Sequence, residues 1–146
     1  MSISTKFPVA VHVLSILSLN RQTTIYSDYI AASVNTNPVV IRRIVGLLKK
    51  AGLVDSAPGM GGITLLKEPQ EITLYDIYNA VSVKDKQLFS LHQDTNPECV
   101  VGKNIQQSLV GVMRTAEEAM EDELKKTTLA DTINEITVLE ARSLVK

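Results

Sequence analysis

The sequence predicts a mainly α-helical fold with one small β-hairpin and a long C-terminal helix. Three observations carry that expectation. Residues 38–50 repeat their apolar side chains at helical intervals between a start signal and a stop signal. A glycine-rich tip at 57–62 separates two short apolar runs, the pattern of a hairpin. Residues 102–126 keep one apolar stripe in steps of three and four along their whole length.

In chain order, residues 4–19 form the first expected helix, because Phe7, Ala10, Val11, Leu14 and Leu17 share one side. Pro8 is compatible only if it falls in the first turn. His12 sits among apolar neighbours with no acid or nucleophile in a recognisable pattern, so it reads as a packed or edge histidine and not as a catalytic base. Ser27 can cap a short second helix that turns Ile30, Ala31 and Val34 inward, and residues 35–37 make a turn.

The next helix is the best marked. Asn37 caps it, Pro38 suits its first position, and Gly52 suits the position past its end. Val40, Ile41, Ile44, Leu47 and Leu48 form its core-facing stripe. Val39, Arg42, Arg43, Gly46, Lys49 and Lys50 form the other face, introduced by Thr36 and Asn37. A basic face with a small residue at its middle suits the floor and walls of a DNA major groove. Four bases on one amphipathic helix are also common on plain solvated surfaces, so the following segment decides the reading. Leu53 and Val54 begin a strand and residues 63–66 return antiparallel, which makes residues 1–81 a helix-turn-helix with a wing.

After the wing, Thr73 and Asp76 complete a capping box, Ile72 and Ile77 can staple it, and Leu74, Tyr78 and Val81 extend the apolar side. Residues 82–101 are a connecting segment. Residues 102–146 are expected to dimerise through Ile105, Leu109, Val112, Ala116, Met120 and Leu124. At ~1.5 Å per residue the rod over residues 102–126 is about 37 Å long. It overhangs the preceding core, and a second copy of the same stripe is the economical cover. Thr128 and Asp131 then start a last helix with Leu129, Ile133 and Ile136 facing inward.

Charge supports the division. Of 146 residues with net charge -1, the first 66 hold six Lys/Arg against two Asp/Glu, and the rest hold nine against fourteen. The basic half is the half with the helix-turn-helix. One cysteine rules out an internal disulfide and points away from a secreted, disulfide-stapled protein. The apolar run 9–19 contains His12 and is too short to span a bilayer, and no signal peptide pattern surrounds it. A cytoplasmic protein without membrane contact is expected. Gly59, Met60, Gly61 and Gly62 lack the lysine and hydroxyl of a phosphate-binding loop, so neither an enzyme nor a cofactor is expected.

Several stretches resemble the Rrf-type winged helix-turn-helix transcription regulators, a family that includes cluster-sensing and nitric-oxide-sensing regulators and a cysteine-metabolism repressor. The resemblance covers nearly the full length. It rests on Asn37-Pro38-Val39-Val40-Ile41-Arg42-Arg43, on Leu48-Lys49-Lys50-Ala51-Gly52-Leu53-Val54, and on Gly61-Gly62 followed by Leu65 and Ile72-Thr73-Leu74. It implies a homodimer on duplex DNA, joined through the long C-terminal helix, and the leading expectation is a repressor of a palindromic operator. Recognition helices enter successive major grooves, and wing tips, here Met60 and Gly61, reach the flanking minor grooves. On that basis Arg42 and Arg43 contact base edges or phosphates, Thr36, Asn37 and Val39 read edges, and Lys49 and Lys50 touch phosphate.

Two departures qualify the resemblance. Many members carry an arginine before the wing glycines, where this chain has Ser56-Ala57-Pro58-Gly59. Weaker charge-based minor-groove reading follows. Cluster-binding members carry three cysteines between the wing and the long helix, where this chain has Cys99 alone, and adding His92 still leaves too few ligands for a cluster or a zinc ion. Three readings remain open at this level. Cys99 can respond to an oxidant through a thiolate favoured by the helix start. It can instead be a small buried hydrophobe without chemistry. A small-molecule effector can occupy a pocket near Tyr75, Tyr78 and Phe89. The competing class is a winged-helix protein-interaction module without specific DNA binding.

Overall fold

A computed structural model describes residues 3–57, 62–82 and 92–145. Its elements run α1 (Ile3–Leu19), α2 (Ser27–Val34), α3 (Pro38–Lys50), β1 (Val54–Ser56), β2 (Ile63–Leu65), a 3-10 turn (Pro69–Glu71), α4 (Leu74–Val81), α5 (Val100–Lys126) and α6 (Leu129–Ser143). The fold is mainly helical with a two-stranded wing and a long C-terminal helix.

α1 is the centre of the core. Ala10, Val13 and Leu14 are fully buried in it, and it packs against α2, α3, α4, α6 and β2. Its apolar residues extend around most of its circumference because partners surround it. Pro8 lies inside the helix, in the second turn and not the first, so the carbonyl of Ser4 receives no amide proton from it. His12 Nε2 lies 2.9 Å from Ser33 Oγ, a polar link from α1 to α2.

α2 buries Ile30 and Ala31, and Val34 packs at the edge of the same cluster. Ser27 is its first helical residue and not its cap. Tyr26 occupies the cap position without a side-chain hydrogen bond. Asn35 ends the helix in a left-handed conformation at φ 62°, which a short polar residue tolerates and which turns the chain toward α3.

The wing pairs Val54 with Leu65, Asp55 with Thr64 and Ser56 with Ile63. Its root is pressed onto the segment before α2. Ile63 N–H donates to the Ile25 carbonyl at 2.8 Å, and a Cβ on Gly62 would stand 2.3 Å from Thr24 Cγ2. A methyl there would require the Thr24 side chain to turn away and would sit tightly, 3.3 Å from the Ile25 carbonyl oxygen.

Thr73 and Asp76 form the expected capping box on α4, and Thr128 and Asp131 form the expected one on α6. The two helix starts lie side by side. Leu74 N–H donates to the Thr127 carbonyl at 2.9 Å, and Leu129 N–H donates to the Ile72 carbonyl at 2.8 Å. Ile72, Ile77 and Leu129 are fully buried beneath them, each contributing about 1.5–3 kcal/mol of burial energy. Ile133 packs against the core, but Ile136 does not face inward: it is 42% exposed, because the packed part of α6 ends at Ile133 and its later residues are all exposed.

α5 has no buried residue. Its C-terminal half lies on α4, with Lys125 Nζ 4.6 Å from the centre of the Tyr75 ring. Ile105, Met120 and Leu124 are half-buried, while Leu109, Val112 and Ala116 are exposed. At about 100° per residue all six fall within one arc of about 120°, half-buried toward the two ends of the helix and open to solvent in the middle. Among the described residues, no helix is long and apolar enough to cross a membrane.

Candidate nucleic-acid interface

α3 is held at both ends by local chemistry. The Asn37 side chain accepts the Val39 N–H at 2.8 Å, and Pro38 occupies the first position. At the other end Gly52 adopts φ +79°, its N–H bonds to the Lys49 carbonyl, and the Leu53 N–H reaches the Leu48 carbonyl, each at 3.0 Å. This double bond pattern closes the helix, with Leu48 and Leu53 buried beneath it.

Ile41, Ile44, Val45 and Leu48 are the buried side of α3, and Val40 and Leu47 are half-buried. Val45 is a core residue that the sequence pattern did not single out. It extends the apolar arc of α3 by one position into the buried cluster. The opposite face exposes Val39, Arg42, Arg43, Gly46, Lys49 and Lys50, with Asn37 exposed and Thr36 half-buried at its entrance.

These cations are not equivalent. Lys49 Nζ donates to the Ser56 carbonyl at 2.6 Å and lies 3.9 Å from Asp55 Oδ1, so it ties the end of α3 to β1. Among the described residues, Arg42, Arg43 and Lys50 have no ion-pair partner. Gly46 lies between them, and a Cβ there would meet nothing within 4 Å. Packing inside the chain therefore does not require this glycine. Met60, Gly61 and Phe89 lie outside the described residues.

Cys99 is exposed at the N-cap of α5, so it is not a buried hydrophobe. The N–H groups of Gly102 and Val101 hold its thiol below the usual pKa, with desolvation opposing. The preceding turn is set by close packing. Cys99 N–H donates to the Asn96 carbonyl at 3.3 Å, and a Cβ on Gly102 would stand 2.4 Å from that same oxygen.

Of the aromatic residues expected near an effector pocket, Tyr75 and Tyr78 have packing roles. Tyr78 is buried and meets Phe7 edge-on, ring centres 6.3 Å apart. Burial pushes its hydroxyl pKa up, and Glu121, Glu117 and Tyr75 add to the effect. Tyr75 is half-buried under Lys125.

A family model described as "Rrf2: Iron-dependent Transcriptional regulator" matches residues 3–135. YwnA of Bacillus subtilis strain 168, described as a candidate HTH-type transcriptional regulator, is 43% identical over 134 residues, 92% of this chain and 98% of that protein. A crystal structure described as a candidate DNA-binding protein is 41% identical with a TM-score of 0.69, covering 88% of this chain and 98% of its own. The oxidised form of Staphylococcus aureus CymR is 28% identical with a TM-score of 0.64, covering 91% and 96%. The iron in the family description does not fit this chain's donors. The sequence holds one thiol, that thiol is exposed, and the described residues contain no group of three His, Cys, Asp or Glu able to hold a metal ion. The basic α3 face, the wing and the match over residues 3–135 lead to one assignment: the chain belongs to the Rrf2 family of winged helix-turn-helix transcriptional regulators and is a DNA-binding protein, not an enzyme.

Proposed function

We propose that this regulator is a homodimeric repressor that reads a palindromic operator with α3 and releases it in response to a signal. The observation that carries the reading is the exposed α3 face, where Arg42, Arg43 and Lys50 have no described ion-pair partner and Val39 is 44% exposed. Arginine side chains there reach guanine edges or phosphates, Thr36, Asn37 and Val39 supply shorter-range reading, and Lys49 and Lys50 add phosphate contacts. Met60 and Gly61 belong to the wing contact with the minor groove. The exposed stripe of Leu109, Val112 and Ala116, with Val101 beside it, supports pairing of two α5 helices.

Selection from randomised duplexes tests this. The native protein should recover a palindrome, and Arg42→Ala with Arg43→Ala should lose site preference while remaining dimeric. A double variant that keeps tight, specific binding refutes the assignment of those residues. Affinity that does not fall with rising salt would instead favour the protein-interaction module, because phosphate contacts release counterions.

The signal is read as oxidation of Cys99. A peroxide converts the thiolate to sulfenic acid with release of hydroxide, and a second thiolate displaces hydroxide to close a disulfide. The exposed, activated thiol and the existence of an oxidised form of one relative support this reading. Operator binding that is the same before and after peroxide, and the same in Cys99→Ser, moves the signal to a small-molecule effector.

A further inference from the structure

An open cavity of about 460 Å³ lies where the end of α3, the root of the wing and α4 meet. Leu47, Ala51, Leu53 and Ala80 supply apolar lining, and Lys50, Lys67, Asp76 and Asn79 supply the polar part. Its size falls in the range of small-molecule sites.

The polar groups differ in how far they are already committed. Asp76 Oδ2 accepts the Thr73 N–H at 3.0 Å as part of the capping box, so that carboxylate is engaged in holding α4. Lys50 and Lys67 are exposed and have no ion-pair partner among the described residues, in contrast to Lys49 close by, which is tied to Ser56 and Asp55. The cavity therefore offers two uncommitted ammonium groups and one amide above an apolar floor, against one engaged carboxylate. That chemistry selects an anion with an apolar body.

We propose that this cavity binds a small monocarboxylate with an apolar tail, and that its occupation weakens operator binding. The tail covers Leu47, Leu53 and Ala80, and the carboxylate takes hydrogen bonds from Lys50, Lys67 and Asn79. The coupling rests on the reading of α3 given above. Lys50 serves both the ligand and DNA phosphate, so a carboxylate that holds it in the cavity withdraws it from the duplex. Linkage makes the effect mutual, since carboxylate and operator then weaken each other by the same factor. The site is distinct from Cys99, which begins α5, and from the aromatic cluster of Tyr75 and Tyr78.

The test uses the full chain with hexanoate and phenylacetate as probes and their neutral amides as controls, ionic strength being matched with chloride. Binding to the free protein is followed by backbone amide NMR, and operator affinity is measured separately with and without probe. Saturable shifts at residues 47–53 and 76–80 from the carboxylates alone are expected, with a loss of operator affinity on the order of fivefold. Lys67→Ala and Asn79→Ala should each lose the shifts and the coupling while still binding operator. No saturable shift at millimolar probe, equal shifts from the amides, or shifts located elsewhere overturn the site. Carboxylate binding that leaves operator affinity unchanged overturns the coupling. Because the NMR arm contains no DNA, it decides the cavity even if the operator reading itself fails.

Discussion

Gly46 offers a test in which stability and DNA binding move in opposite directions. Glycine inside a helix costs roughly 0.5–1 kcal/mol relative to alanine, because it gives up more chain entropy on folding. At this position the added methyl would meet nothing within 4 Å, so Gly46→Ala introduces no clash to offset that gain. The variant should therefore be more stable by about 0.5–1 kcal/mol, a rise in Tm of roughly 1–4 °C for a chain of this size. Gly46 shares the exposed α3 face with Val39, Arg42, Arg43 and Lys50. A duplex lying against that face comes closest to the helix axis where the side chain is missing. Operator affinity should thus fall by about tenfold, or about 1.4 kcal/mol, and Gly46→Gln should fall further. Gly111 is the control. It too is exposed, has nothing within 4 Å of its added Cβ, and lies on the side of α5 away from the apolar stripe. Gly111→Ala should gain similar stability with operator affinity unchanged. The assays are thermal unfolding at fixed protein concentration and operator titration at fixed salt. A Gly46→Ala protein that is stabilised and still binds operator as tightly as the native chain refutes the close approach.

Other outcomes follow from the same geometry. Leu109→Asp with Val112→Asp should leave the protein folded but monomeric in sedimentation, since both side chains are exposed in the single chain; a dimer that persists rules out this stripe as its interface. Thr73→Ala removes one capping hydroxyl and should lower stability by ~1 kcal/mol in denaturant titration, with unchanged stability showing that the cap bond contributes nothing. Because the amides of Gly102 and Val101 lower the Cys99 pKa in the folded state, native alkylation should reach half-maximal rate at a lower pH than in denaturant. The linked stabilisation from this depressed pKa is present above the unfolded pKa and fades as pH falls through the folded one. Coincident alkylation profiles would show that the helix start does not activate the thiol.

The parts of this molecule legible in sequence are those governed by neighbours in the chain. The ends of α3 follow from Asn37, Pro38 and Gly52, and the starts of α4 and α6 follow from hydroxyl and carboxylate three residues apart; each signal acts within one turn. The α3 basic face is equally visible, because helical spacing alone sorts it from the buried side. What escaped the sequence depends on distant partners. Pro8 is held in the second turn of a helix packed by several other elements, which outweighs the lost hydrogen bond. Ile136 has the right spacing for burial but no surface opposite it, so it stays exposed. The tie from Lys49 to the wing and the cavity between Lys50 and Lys67 join residues that only folding brings together, and nothing in their spacing announces either. For Cys99 the helix start was legible and its exposure was not, because burial depends on how residues 92–99 pack.

The paired helix starts have a mechanical consequence. The hydrogen bonds from Leu74 to Thr127 and from Leu129 to Ile72 clamp the chain just beyond the last turn of α5 to the base of α4. α5 is thereby a lever fastened at one end, its 27 residues spanning about 40 Å at ~1.5 Å each. Because the C-terminal half of the rod rests on α4, a rotation of roughly 10° displaces the Cys99 end by about 3.5 Å. Read the other way, a displacement of several ångströms at the free end reaches the fulcrum as a small angle, geared down where the rod meets α4 and, through α4, the recognition helix.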